Sequence, residues 1–320
     1  MKTVVLFVTA AGLLLAVAPR LSSADGGAAV LRVLSYNVHG LPQIAAGDAP
    51  VERLPKIARL IGGRYDIALL QENFEYPHLV SDNLGDAPHD HHDGGRNLVA
   101  AGLGQRMMQA LVLGPSRVLF GVKVPNPSGL TTITSGAGGF TTSPLVNEPY
   151  VVCEGYLFDK NDCLAPKGYL GVRLSRADGL AIDVYNTHLD ARSGGKSNRE
   201  VRRRQLAQLA TAIRRHSRGR ALIVAGDFNT GHQRPKDFAL LKSFRTLLGL
   251  TDSVARRDPS WNGEADVDYI LYRSSQATRL GLDGADGSAG EDGSFRWQDD
   301  RLRLSDHPAI FARFRAEATR

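Results

Sequence analysis

Asn37, Glu72, His188, Asp227 with Asn229, and Asp306 with His307 all stand where an apolar, strand-like run gives way to polar sequence. Strand ends are where a rigid sheet presents side chains to a substrate. Singly, each has a plainer explanation as a turn amide, a rim carboxylate or a half-buried histidine. Together they form a coherent set for hydrolysis of a phosphate ester. Glu72 and Asn37 offer hard oxygen donors suited to Mg2+, which keeps several waters and takes one or two carboxylates from a protein. A cation held there neutralises phosphate charge and stabilises a departing oxygen. His307 fits a general base on water, with an acid behind it to fix the ring and favour imidazolium. Asp306 is its neighbour in sequence, but adjacent strand residues point to opposite faces, so that pairing needs a local bend or another acid. His188 and Asn229 are candidate donors to the phosphoryl oxygens, and Asp227 a candidate to orient or deprotonate the water.

The elements that must position these residues are readable from periodicity. Residues 31–37 alternate apolar and polar, as a strand does, and lead into His39-Gly40-Leu41-Pro42. Residues 66–72 form the next strand, apolar enough at 67–70 for burial on both faces, so that Glu72 emerges where the chain leaves the core. Strand-like runs recur at 130–134, 168–174, 181–187, 221–226, 267–272 and 309–314. A helix is expected over 50–60, with Leu54, Ile57 and Ile61 on one face, Asp48 as candidate cap and Gly62-Gly63 as stop. A second is expected over 199–216, with Leu206, Leu209 and Ile213 buried. Its arginines, Arg202, Arg203, Arg204, Arg214 and Arg215, read as a solvated face, with a nucleic-acid contact as the alternative. Segments 86–95, with His89, His91 and His92 among acids, and 281–293, rich in glycine and acids, read as loops. The histidines have no fixed spacing on an element that would make them a metal site.

Composition bounds the whole. The chain has 320 residues, 42% hydrophobic and 22% charged, which excludes disorder as the main state. Lys and Arg number 39 against 33 Asp and Glu, a net +6 that by itself selects no partner. Lys2, the apolar run from Val4 to Ala18 and the small residues Ser22-Ser23-Ala24 read as a signal peptide over 1–24, followed by a single domain over 25–320. The apolar run is short for a bilayer span. A secreted or periplasmic location is therefore expected, where Cys153 and Cys163 form a disulfide. Two thiols without a second Cys or His pair make a poor zinc cage.

Seven short motifs then occur in one order: Ser35-Tyr36-Asn37, Leu70-Gln71-Glu72, Ser128-Gly129-Leu130, Asn186-Thr187-His188-Leu189, Gly226-Asp227-Phe228-Asn229, Val267-Asp268-Tyr269-Ile270 and Ser305-Asp306-His307-Pro308. In this the chain resembles the endonuclease/exonuclease/phosphatase superfamily, whose fold is similar to that of DNase I. The resemblance implies a four-layer α/β/β/α sandwich of two mostly antiparallel sheets, and a divalent-metal phosphodiesterase or phosphatase. It implies Glu72 as main Mg2+ ligand with Asn37 beside it, and His307 as general base or second-metal ligand backed by Asp306. Asp227 and Asn229 would handle water and phosphate, His188 would steady the phosphate, and Asp268 would be a supporting acid.

The run Lys167-Gly168-Tyr169-Leu170-Gly171-Val172-Arg173-Leu174 after the second cysteine is similar to the sphingomyelinase branch, and Asp162 and Lys167 stand at a spacing similar to an Asp/Lys pair in neutral sphingomyelinases. Lys167 is thus a candidate phosphate-binding residue, with an ordinary exposed lysine as the alternative. The sequence departs from secreted bacterial sphingomyelinases where an apolar membrane loop belongs: 281–293 carries Asp283, Asp286, Glu291 and Asp292 before Phe295 and Trp297. The resemblance implies a secreted phosphodiesterase using Mg2+, or Mn2+ or another divalent cation, to release phosphocholine from sphingomyelin at a membrane surface, acting as a monomer. The alternatives are a secreted metal-dependent nuclease acting on nucleic acid, another phosphoesterase of the superfamily, or a catalytically silent binding protein on the same fold.

Overall fold

In chain order the strands are β1 (Ala29–Asn37), β2 (Ile67–Gln71), β3 (His89–Asp93), β4 (Thr131–Ser135), β5 (Thr141–Pro149), β6 (Gly168–Ser175), β7 (Ala181–His188), β8 (Ala221–Asp227), β9 (Thr251–Asp252), β10 (Asp268–Arg273), β11 (Thr278–Asp286), β12 (Gln298–Asp299), β13 (Leu302–Arg303) and β14 (Ile310–Ala318). The helices are α1 (Gln43–Ala46), α2 (Pro50–Ile61), α3 (Pro77–Ser81), α4 (Lys196–His216) and α5 (Pro235–Leu248). This computed structural model describes residues 27–94, 126, 128–155, 162–165, 167–191, 196–232, 234–254, 267–286, 298–299 and 302–319. The expected signal peptide, Phe295 and Trp297 lie outside the described residues.

Two six-stranded sheets form, in the orders β11-β14-β1-β2-β4-β3 and β5-β6-β7-β8-β10-β9. Each holds one parallel pair, β1 with β2 and β7 with β8, and is otherwise antiparallel. The period of two in β1 explains the layering. Leu31 and Val33 face inward to a core shared with Val184, Ile223, Ile270 and Phe314 of both sheets. Leu34 and Tyr36 face outward onto Leu54, Ile57 and Ile61 of α2. On the far side, Leu206, Leu209 and Ile213 of α4 and Leu241, Phe244 and Leu248 of α5 cover Leu222, Val224 and Tyr269. The result is the four-layer α/β/β/α sandwich.

Several elements differ from the sequence reading. The histidine and acid segment expected as a loop contains β3, an edge strand whose pairing with β4 is made by backbone groups and needs no apolar alternation. The first part of the expected loop 281–293 is the end of β11, paired to β14 through a register shift between Leu282 and Gly284. Asp48 does not cap α2, which begins at Pro50 without a side-chain cap. It pairs instead with Arg53, at 2.9 Å from Nε. Strand β5 and helix α5 carry too weak a periodicity to be read locally; sheet pairing and packing on β8 and β10 settle them. The disulfide between Cys153 and Cys163 is formed, with Cα atoms 5.2 Å apart.

Candidate active site

The two parallel pairs end at the same place. Register sets Asn37 beside Gln71, the residue before Glu72, in one sheet, and His188 beside Asp227 in the other, with Asp268 opposite Asp227 on the antiparallel β10. Parallel neighbours run out of the core together, so their terminal polar residues emerge together. Asn37 Nδ2 donates to Asp227 Oδ2 at 3.3 Å across the gap between the sheets. Ser305 Oγ donates to the Asn37 carbonyl at 2.6 Å and brings the loop before β14 to the same point.

His307 is held from behind by Asp268: its Nδ1 lies 2.7 Å from Oδ2, and Nε2 looks toward Asp227 Oδ2 at 3.8 Å. The acid expected for this duty was Asp306, and the structure corrects it. As adjacent residues Asp306 and His307 diverge, and the Asp306 carboxylate turns to His39 Nδ1 at 3.3 Å. Burial works against charge on His307, but Asp268, Asp227 and Asp306 outweigh it and hold the ring well above its ordinary pKa. Burial would raise the Asp227 carboxyl, yet His188, His307 and Lys167 keep it well below the usual range.

Asp227 Oδ2 also meets His188 Nε2 at 3.3 Å, and the same ring nitrogen lies 3.2 Å from Lys167 Nζ. Lys167 is not an exposed lysine. It is buried and paired to Asp162 at 2.9 Å, and although burial disfavours its charge, Asp162 and Glu72 keep it protonated. Asp162 precedes Cys163, so the disulfide pins the loop that supplies it; its oxygens accept from the Ala191 amide at 3.0 Å and Asn198 at 3.4 Å. Asn229 has φ +49 and gives its backbone N–H to Asp227 Oδ1 at 2.9 Å, while its side-chain Nδ2 donates to the Leu189 carbonyl. His188 Nδ1 is buried and has no hydrogen-bond partner among the described residues.

Glu72 fits a hard cation. Its Oε2 is buried, and its nearest polar partner among the described residues is His39 Nδ1, at a long 3.5 Å. Burial alone would raise this carboxyl, but the His39 ring and the charges of His188 and Lys167 bring it down to about 2, so it is an anionic oxygen donor. A second group, Asp227, Asp268 and His307, brings three potential ligand atoms within 4.8 Å of one another. Three neighbours of this site escaped the sequence reading: His39, Arg53 and Asp190. His39 carried one local signal, its place two residues beyond Asn37 at a strand exit; Arg53 and Asp190 carried none, because their partners come from distant segments.

The profile of the Endonuclease/Exonuclease/phosphatase family matches residues 34–307. Curated proteins named sphingomyelinase from Mycobacterium bovis and Mycobacterium tuberculosis are 27% identical over 265 residues, covering 78% of this chain and 46% of theirs. The chain thus spans about half the length of the curated relatives it matches. Sphingomyelinase C from Streptomyces griseocarneus superposes with a TM-score of 0.57 at 16% identity, over 89% of this chain and 99% of that one. A beta toxin variant from Staphylococcus aureus with bound magnesium ions gives 0.57 at 14%, over 91% and 100%. The human Nocturnin catalytic domain gives 0.56 at 20%, over 91% and 95%. At these identities the likeness to solved structures is one of fold.

Proposed function

The chain belongs to the endonuclease/exonuclease/phosphatase family, and from that premise we propose that it is an exported, divalent-metal phosphodiesterase whose substrate is a choline phospholipid of the sphingomyelin type. The observation that carries the phosphodiesterase reading is the meeting of an anionic oxygen donor, Glu72, with an Asp268–His307 pair and a buried Lys167–His188 cluster at one end of both sheets. The relatives named sphingomyelinase support the lipid. The apolar start of the sequence supports export.

A divalent cation held by Glu72 and Asn37 would supply charge neutralisation for the phosphate and its departing oxygen. His307 Nε2 takes the proton of the attacking water from the neutral ring, a state that the positive charge of a bound cation would favour over the imidazolium held by Asp268, Asp227 and Asp306. Asp268 accepts from Nδ1–H, fixes the tautomer and stabilises the imidazolium that forms. Lys167 and His188 place positive charge and a donor where phosphoryl oxygens gain charge, and Asp162 stops the lysine from swinging away. Asn229 fixes Asp227, which orients the water and sets the charge between the two histidines.

Release of phosphocholine from sphingomyelin vesicles, measured with and without EDTA and with His307→Ala, tests this; release abolished by both controls is the expected result. Absence of release from folded, metal-loaded protein would reject the lipid. A nuclease is the second reading, favoured by one observation. The outer helical layer exposes Lys196, Arg203, Arg204, Arg214, Arg215 and Lys236, against Glu200 as the single exposed acid among the described residues of 196–248. Nuclease activity would fall steeply with added salt, whereas hydrolysis of a zwitterionic lipid would not.

A further inference from the structure

His39 has no part in the steps above, yet its ring lies against the candidate cation site. Nδ1 is 3.5 Å from Glu72 Oε2 and 3.3 Å from Asp306 Oδ1, while Nε2 faces the Ala46 carbonyl oxygen at 3.5 Å. The position is built. His39 and Glu72 have φ of +48 and +57, a left-handed conformation that side-chain residues adopt only where their surroundings hold them in it. The His39 N–H goes to Asn37 Oδ1 at 3.1 Å and its carbonyl accepts from buried Arg53 at 2.8 Å, so the backbone is fixed on both sides of the ring. The next residue stitches the two strand exits together: Gly40 N–H donates to the Glu72 carbonyl at 2.8 Å, and a Cβ on Gly40 would lie 2.7 Å from that oxygen.

A carbonyl at one ring nitrogen and anionic oxygens at the other is the environment of a metal-ligating histidine, whose N–H is anchored behind it while the lone pair meets the ion. The donor separations agree, because ligands about 2.0–2.1 Å from a tetrahedral ion lie about 3.3 Å apart. We propose that His39 Nδ1, with Asp306, ligates the cation held at Glu72, and that this nitrogen turns the site from Mg2+ toward Mn2+, Co2+ or Zn2+. Mg2+ prefers an all-oxygen shell, whereas imidazole suits the later divalent metals. The inference rests on the reading of Glu72 as cation donor.

The test is calorimetric titration of the full chain with Mg2+, Mn2+ and Co2+, together with the visible spectrum of bound Co2+. His39→Gly is the informative variant, since glycine accepts positive φ and leaves room for free imidazole; His39→Asn also tolerates that backbone and puts an oxygen donor in place of the nitrogen. Thermal unfolding checks that both variants are folded. The expected result is that His39→Gly weakens Co2+ about tenfold or more, changes Mg2+ by less than about threefold, shifts the Co2+ spectrum, and recovers both affinity and spectrum with imidazole. Unchanged or tighter Co2+ binding in folded His39→Gly would overturn the proposal. Glu72→Gln separates the two levels. Cation binding that survives in Glu72→Gln refutes the underlying site, whereas binding lost there but unaltered in His39→Gly refutes the role of His39 alone.

Discussion

His307 is held by one carboxylate and faced by another, and its chemistry depends on which is which. In Asp268→Asn the new amide can donate to Nδ1 and so forces the proton onto Nε2, the atom that must be empty to accept from water. We expect kcat to fall about 10²–10⁴-fold with KM little altered, read from steady-state kinetics at saturating cation. Asp306→Asn leaves the His307 bond intact, and its loss of kcat under the same conditions should be at least about tenfold smaller. A second residue gives a pH effect on stability. Burial and the charge of Asp162 push the Asp190 carboxyl up to about 6 from its usual 3.8, against the opposing pull of Lys167 and Gln205. The unfolded chain therefore releases this proton at lower pH than the folded one. The stability that Asp190 contributes is whole below about 3.8 and is lost as pH rises through about 6. Denaturant unfolding from pH 4 to 7 should show a decline on the order of 2 kcal/mol that is flattened in Asp190→Asn; an identical slope in both proteins would contradict it.

At the scale of elements, α2 does more than cover its sheet. Its Arg53 is fully buried and donates to the carbonyls of Val38 at 2.9 Å, His39 at 2.8 Å and Leu304 at 2.7 Å. It thereby clamps the exit of β1 to the segment that leads into Ser305, Asp306 and His307. Arg53→Met keeps bulk but leaves two buried carbonyls and the half-buried one of His39 without this donor, each buried one costing about 1–3 kcal/mol. We expect a loss of at least about 3 kcal/mol by chemical denaturation and a lower kcat in the fraction that stays folded. Arg53→Lys should recover little of either, since one ammonium cannot reproduce the guanidinium fork. The helix itself was legible from Leu54, Ile57 and Ile61, but an arginine on an amphipathic helix reads as part of its wet face. Only contact with loops 38–39 and 304 shows otherwise.

At the scale of the whole molecule, the two sheets are joined by polar bonds at the end that carries the site. Asn186 Nδ2 donates to the carbonyls of Leu70 at 2.9 Å and Thr131 at 3.0 Å, and its Oδ1 accepts from Gln71 at 2.8 Å. These bonds tie β7 to β2 and β4, so the distance between Glu72 and His188 is set by an amide inside the core. Asn186→Leu should destabilise by about 2–4 kcal/mol, because it unpairs buried groups in both sheets. It should also weaken cation affinity without touching a ligand, which paired calorimetry and denaturant unfolding would detect. A variant with wild-type stability would show that the apolar core between the sheets suffices to hold them.

By itself the sequence determined the regular elements with strong periodicity, the order of the polar residues at strand ends, and the pairing of two nearby cysteines. Those properties are local, written in side-chain alternation and spacing along the chain. Tertiary structure decided that Asp268 and not Asp306 stands behind His307, that Lys167 is buried in an ion pair with Asp162, and that Arg53 and Asn186 bind the site's loops and sheets. It also decided that the acidic histidine run is an edge strand. The reason is the same in each case. A polar residue's partner is fixed by which distant segments the sheets and helices bring within about 3 Å, the reach of a hydrogen bond, and that distance is a property of packing, which spacing along a chain does not encode.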